Sequence, residues 1–188
     1  MKRYVIKIQY NSPVVLTFAL LSFGALALGT VLGSEVTMRY FSVYRAPLSD
    51  PLTWLRFFTH VLGHVNYEHY IGNMLLILVV GPPLEEKYGS RSLLLAILIT
   101  ALISGLVQFI FFPGTALLGA SGIVFMMIVM SSLAGMKSRC IPLTLIFVVV
   151  FYLGGEIVAG LSAADNVSQL THIVGVCGAV IGYILYGK

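Results

Sequence analysis

The sequence predicts an all-α membrane protein in which residues 1–188 form one domain of six transmembrane helices. Hydrophobic residues make up 59% of the chain and charged residues 10%, whereas about a quarter of the residues in an ordinary soluble chain are charged. The mean hydropathy is +0.98. This composition excludes a disordered chain, a secreted disulfide scaffold and a cytosolic enzyme. The net charge of +4 is too small for a nucleic-acid-binding protein of this size.

The uncharged runs define the predicted spans, because a bilayer core of about 30 Å needs about 20 apolar residues per helix. The run from Ile8 to Ser34 has 27 residues and is longer than the core of a signal peptide. The run from Ser92 to Met136 has 45 residues, which suffices for two spans and a turn. The predicted spans are 13–33, 68–84, 92–111, 121–136, 141–161 and 169–187.

The second span is short of a full crossing. Only 15 uncharged residues lie between His69 and Glu85, and at 1.5 Å per residue they cover about 22 Å. Either His69 and Asn73 are drawn into the membrane, or the span crosses a locally thin bilayer.

Basic residues predict the orientation, because they are enriched in cytoplasmic segments. With the N-terminus inside, the inner segments hold eight basic residues and the outer segments three. The inner ones are Lys2, Arg3, Lys7, Lys87, Arg91, Lys137, Arg139 and Lys188, and the outer ones are Arg39, Arg45 and Arg56. This asymmetry predicts that both termini are cytoplasmic.

Polar side chains inside membrane helices are costly and often functional. His69 and Asn73 are four residues apart and should share one helical face. Ser121 begins the fourth span, and His172 lies about one turn inside the sixth. All four are therefore predicted near the same side of the membrane, although each taken alone could make a single structural hydrogen bond. Glu156 is a fifth such residue, and an interhelical hydrogen bond is its simplest role.

Five short motifs resemble those of the rhomboid intramembrane serine proteases. They are GASG at 119–122, HVNYEHYIGNM at 64–74, THIVG at 171–175, EEKYGS at 85–90 and RFFTHVLGH at 56–64. The resemblance extends from about Arg56 to Gly182. The chain departs from the family at Phe125, where a tyrosine is usual, and at Ala179 and Thr171.

The resemblance implies a serine protease with a Ser-His dyad. Ser121 would be the nucleophile, and His172 would be the base that accepts its proton and later protonates the leaving amine. The N–H of Ser121, His69 and Asn73 would stabilise the oxyanion.

Supporting roles follow from the same motifs. Gly119 and Gly122 are the two glycines of the motif around Ser121. Phe125 would pack on the imidazole of His172. The resemblance implies no cofactor and no metal. Its substrates would be transmembrane segments of other proteins, cut in the lipid bilayer near their outer end. The compact chain suggests a multi-pass protein of a bacterial or archaeal cell membrane.

Two other functions remain open from the residues. One is a catalytically inactive rhomboid-like protein that binds membrane clients. The other is a metal-dependent membrane enzyme or transporter, because His60, His64 and Glu68 have the i, i+4, i+8 spacing that would place three ligands on one helical face.

Overall fold

The computed structural model describes residues 9–134, 143–148 and 150. These residues form seven α-helices and one 3₁₀ turn at His60–Leu62. The helices are α1 Pro13–Leu32, α2 Ser34–Tyr40, α3 Pro51–Thr59, α4 Tyr67–Tyr88, α5 Ser90–Phe111, α6 Ser121–Ala134 and α7 Leu143–Val148. The all-α class predicted from the sequence is confirmed for this part of the chain. The sixth predicted span, most of the fifth, Glu156 and His172 lie outside it.

Two helices, α1 and α5, are long and apolar enough to cross a membrane. Helix α6 is also apolar, and its described part has 14 residues. Helix α4 has 22 residues, which corresponds to about 33 Å. Its charged residues lie at its two ends, with Glu68 in the first turn and Lys87 in the last.

Helix α6 supplies much of the core. It packs against α4 and α5, and α4 packs against α1. Five consecutive side chains near the start of α6, Ile123 to Met127, are at most 2% exposed. The side chains that follow Ser121 at the beginning of α6 are therefore buried in the core of the described helices.

Glu85 joins the beginning of α1 to the end of α4. Its carboxylate oxygens accept hydrogen bonds from the backbone N–H groups of Val14 and Val15, each at 3.0 Å. The hydroxyl of Ser90 donates to the same carboxylate at 2.7 Å. The first N–H groups of a helix have no partner within the helix, and a negative charge there also interacts favourably with the helix dipole. This explains how a glutamate that is 4% exposed is accommodated in an apolar bundle.

The first loop, defined here as residues 41–66, contains α3 and the 3₁₀ turn. Helix α3 begins after Asp50, whose side chain accepts a hydrogen bond from the N–H of Leu52 at 3.0 Å. One face of α3 is buried, whereas Trp54, Leu55 and Phe58 on the other face are 40–55% exposed. An exposed apolar face of this kind suits a helix at the surface of a bilayer.

Candidate active site

Ser121 is the first residue of α6 and is half-buried. At this position the free N–H groups of the first helical turn and the positive end of the helix dipole lie beside its side chain. Gly119, two residues earlier, is buried and has a φ of 128°. A residue with a Cβ atom rarely adopts this conformation, so the glycine is needed for the chain to enter the helix in this direction.

The segment before Ser121, residues 112–120, is called here the serine turn, and the first loop holds it in place. The N–H of Gly119 donates to the carbonyl oxygen of His60 at 2.9 Å. Val43 and Leu117 exchange two backbone hydrogen bonds, each of 2.9 Å. From within the membrane helix α5, the amide of Gln108 donates to the carbonyl oxygen of Thr115 at 3.0 Å. The position of the serine is thus determined by contacts distant in sequence.

His60 connects three parts of the structure. Its Nδ1 lies 3.1 Å from the carbonyl oxygen of Arg56, which can only accept, so Nδ1 carries the proton. Nε2 lies 3.1 Å from the hydroxyl oxygen of Ser104 on α5, which also lies 2.8 Å from the carbonyl oxygen of Thr100. Burial lowers the pKa of His60 to about 4, which keeps the ring neutral at physiological pH. The side chain therefore ties α3 to α5 while its carbonyl oxygen holds the serine turn.

The helical face proposed for a metal site does not exist in this structure. His60 lies in the 3₁₀ turn, His64 in the connection that follows, and Glu68 in the first turn of α4. Both ring nitrogens of His60 are engaged with protein groups. Across residues 9–134 and the described part of α7, no three His, Cys, Asp or Glu side chains come close enough to hold a metal ion together.

His69 and Asn73 lie in the first two turns of α4. Asn66 caps this helix, and its side-chain oxygen accepts from the N–H of His69 at 2.8 Å. The amide nitrogen of Asn73, which is 8% exposed, donates to the carbonyl oxygen of His69 at 3.1 Å. One N–H of this buried amide is therefore bonded within its own helix.

The imidazole of His69 lies against the serine turn. A Cβ atom added to Gly119 would lie 2.9 Å from Cε1 and 3.0 Å from Nε2 of His69. The Cε1–Nε2 edge of the ring thus faces a residue only two positions before Ser121. The structure therefore places the ring of His69, one turn before Asn73 on α4, against Gly119, two residues before Ser121.

The ring of His64 meets the ring of His69 edge to face. The two ring centroids are 5.0 Å apart at an angle of 66°, and His64 also meets Tyr70 at 5.5 Å and 87°. Its Nδ1 lies 3.1 Å from the carbonyl oxygen of Leu62 and donates to it. Burial, followed by the neighbouring His69, lowers the pKa of His64 to about 4.

Phe125 and Gly122 are buried in α6, and Phe125 is 0% exposed one turn after Ser121.

The sequence did not lead us to three buried polar side chains of α5, which are Thr100, Ser104 and Gln108. Their spacing of four residues inside a long uncharged run was the available signal, because such a series marks one polar face of a membrane helix.

The fold and this site define a helical membrane protein with a polar centre between α4, α6 and the first loop. The Rhomboid domain family model matches residues 51–188. The chain therefore belongs to the rhomboid family, whose members are integral membrane proteins, and the resemblance inferred from the motifs is confirmed.

Three curated relatives show how far the similarity extends. Rhomboid-related protein 1 of Caenorhabditis elegans is 31% identical over 140 residues, which are 69% of this chain and 39% of that protein. The chloroplastic rhomboid-like protein 11 of Arabidopsis thaliana is 28% identical over 143 residues, 70% of this chain and 51% of that protein. Rhomboid protease GluP of Bacillus subtilis (strain 168) is 29% identical over 130 residues, 66% of this chain and 24% of that protein. The chain thus spans about a quarter to a half of the length of these relatives.

Proposed function

We propose that this protein is an intramembrane serine endopeptidase that cleaves transmembrane segments of other membrane proteins near their outer end. The observation that carries the proposal is the approach of His69 to the serine turn. A ring nitrogen of His69 lies beside Gly119 at the entrance of the helix that begins with Ser121. An imidazole, which can donate a hydrogen bond, thus lies beside the residue two positions before the hydroxyl of Ser121, and a donor near the nucleophile is what acyl transfer requires.

In the proposed reaction, the Oγ of Ser121 attacks the scissile carbonyl carbon and forms an acyl-enzyme. His172 accepts the serine proton and passes it to the leaving amine, and water then hydrolyses the ester with the same base. The assignment of His172 rests on the THIVG motif. Phe125, one turn after Ser121, is the side chain proposed to pack on this imidazole.

The oxyanion would be stabilised by the N–H of Ser121 and by the side chains of His69 and Asn73. Asn73 uses one N–H for the carbonyl oxygen of His69, and a primary amide carries a second N–H for the oxyanion. Gly119 and Gly122 keep the backbone around the serine free of side chains. No metal or cofactor takes part in this scheme.

We further propose six spans with both termini in the cytoplasm, in the cell membrane of a bacterium or archaeon. The long apolar helices α1 and α5 support the membrane assignment, and the basic residues support the orientation. The first loop and the serine turn then lie on the outer side, where water reaches the site. Substrates whose helices are weakened by Gly or Pro are expected to react best, because a regular helix hides its carbonyl groups in hydrogen bonds.

The test is labelling of the purified protein with a fluorophosphonate probe, together with cleavage of a model transmembrane substrate. The native chain should be labelled and should cleave, whereas Ser121→Ala and His172→Ala should do neither and should melt like the native chain. A native chain that binds membrane clients but is neither labelled nor active would indicate a client-binding protein. The replacement of the family's usual tyrosine by Phe125 is the observation that favours this second candidate.

A further inference from the structure

We propose that His64 is a positioning residue, which holds the imidazole of His69 against the serine turn. This inference rests on the proposed function, since it concerns the geometry of the oxyanion-stabilising group. His64 would touch neither the substrate nor the nucleophile. It would act only through the ring of His69.

The imidazole of His69 contacts the ring of His64 and the serine turn. Its Cε1–Nε2 edge faces Gly119, and the ring of His64 meets it at 5.0 Å and 66°. Among the described residues, no hydrogen bond joins the imidazole of His69 to another protein group, and the histidine side-chain torsion next to the ring is broad. The direction of Nε2 is therefore determined by the rings and backbone that surround it.

His64 is itself firmly held. The side chain is 1% exposed, and Nδ1 donates to the carbonyl oxygen of Leu62 at 3.1 Å. Its ring also meets the ring of Tyr70 at 5.5 Å, and the hydroxyl of Tyr70 donates to the carbonyl oxygen of Ala19 in α1 at 3.2 Å. His64 is thus a fixed surface against which the ring of His69 can rest.

The role requires a ring at position 64 and does not require its second nitrogen. Nε2 of His64 is buried and has no hydrogen-bond partner among the described residues. A phenyl ring could make a similar edge-to-face contact with His69, and it would also remove the unpaired polar atom. This distinction separates a positioning role from acid–base chemistry by His64 itself.

The experiment measures kcat and KM of the full chain with a model transmembrane substrate. His64→Ala should lower kcat by at least about tenfold with KM unchanged, as expected when a transition-state contact is lost. His64→Phe should keep kcat within about threefold of the native value, whereas His64→Leu, which fills space without a ring, should behave like the alanine variant. A phenylalanine variant as slow as the alanine variant would overturn the proposal.

The double variant tests whether His64 acts through His69. In a His69→Ala background, His64→Ala should have no further effect on kcat, because residues that act as a unit are not additive. Full additivity would overturn the proposal. If His69→Ala alone leaves kcat unchanged, the oxyanion assignment fails instead, and this result is distinguishable from a failure of the positioning role.

A spectroscopic measurement is independent of catalysis. The chain has four histidines, so the ring resonances of a sample labelled at histidine Cε1 can be assigned by single substitutions. His64→Ala and His64→Leu should shift the His69 resonance, while Glu86→Ala, at an exposed position near the other end of α4, should leave it in place. A His69 resonance unmoved in every folded His64 variant would overturn the proposal whatever the kinetics show.

Discussion

The backbone N–H of Gly119, two residues before Ser121, donates a hydrogen bond of 2.9 Å to the carbonyl oxygen of His60. The side chain of His60 is bound at the same time to α5 through Ser104. A single buried residue of the first loop therefore connects a membrane helix to the turn that carries the proposed nucleophile. The position of Ser121 depends on this loop as much as on α6.

Gly119→Ala should reduce cleavage strongly. The new Cβ would lie 2.9–3.0 Å from the ring of His69, and φ at this position is 128°. The turn and the ring would both have to move, and the loss of one oxyanion donor costs about 10²–10³ in rate. The measurement is kcat on a model transmembrane substrate.

The matched control for that variant is Gly114→Ala in the same turn. A Cβ at Gly114 would meet nothing within 4 Å, so native activity is expected. Native activity in Gly119→Ala as well would show that the approach of His69 to the turn is unimportant.

Stability should fall in mild acid because His60 is buried in its neutral form. The pKa of His60 is lowered from 6.5 to about 4, so between these values the unfolded chain binds a proton that the folded chain does not. The contribution of neutral His60 to the free energy of unfolding is complete above pH 6.5 and is lost as the pH falls towards 4. The loss between these two pH values is about 3 kcal/mol. The measurement is the free energy of unfolding in detergent across this range.

His60→Gln supplies the comparison for the pH series, because an amide does not titrate. His64, whose pKa is also lowered to about 4, remains in that variant and keeps part of the slope. The native chain should therefore lose stability more steeply than His60→Gln below pH 6.5. Equal slopes would contradict the burial of a neutral His60.

Glu85→Ala should destabilise the bundle without changing the chemistry. It removes the acceptor for the N–H groups of Val14 and Val15, and a buried donor left without a partner costs about 1–3 kcal/mol. The melting temperature should fall, while kcat of the folded fraction stays native. Glu86→Ala, at the exposed neighbouring position, should leave both quantities unchanged, and an equal loss in both variants would rule out the role of Glu85 at the start of α1.

The sequence predicted the parts of this structure that depend on composition and local spacing. The apolar runs predicted helices where α1 and α5 lie, and the four-residue spacing predicted that His69 and Asn73 share one face of α4. Contacts between distant segments could not be predicted in this way. The bond from Gly119 to His60 joins backbone groups, which carry no signature in the sequence. The four-residue spacing of His60, His64 and Glu68 suggested a helix that the 3₁₀ turn interrupts.

Asn73 tests whether a buried amide serves catalysis or structure. In the structure, its Nδ2 donates to the carbonyl oxygen of His69 at 3.1 Å, a bond within one helix that contributes little to holding α4 against its neighbours. If the second N–H stabilises the oxyanion, Asn73→Ala should lower kcat by at least about tenfold with KM nearly unchanged.

If Asn73 is purely structural, the opposite pattern is expected, with a loss of about 0.6 kcal/mol in fold stability and little change in rate. Ser22→Ala is the matched control, since Ser22 is also a buried polar residue and lies on α1. This control should keep native kcat. An Asn73→Ala protein that melts early but cleaves at the native rate when folded would place Asn73 outside the oxyanion site, because only a contact made in the transition state lowers kcat without weakening the fold.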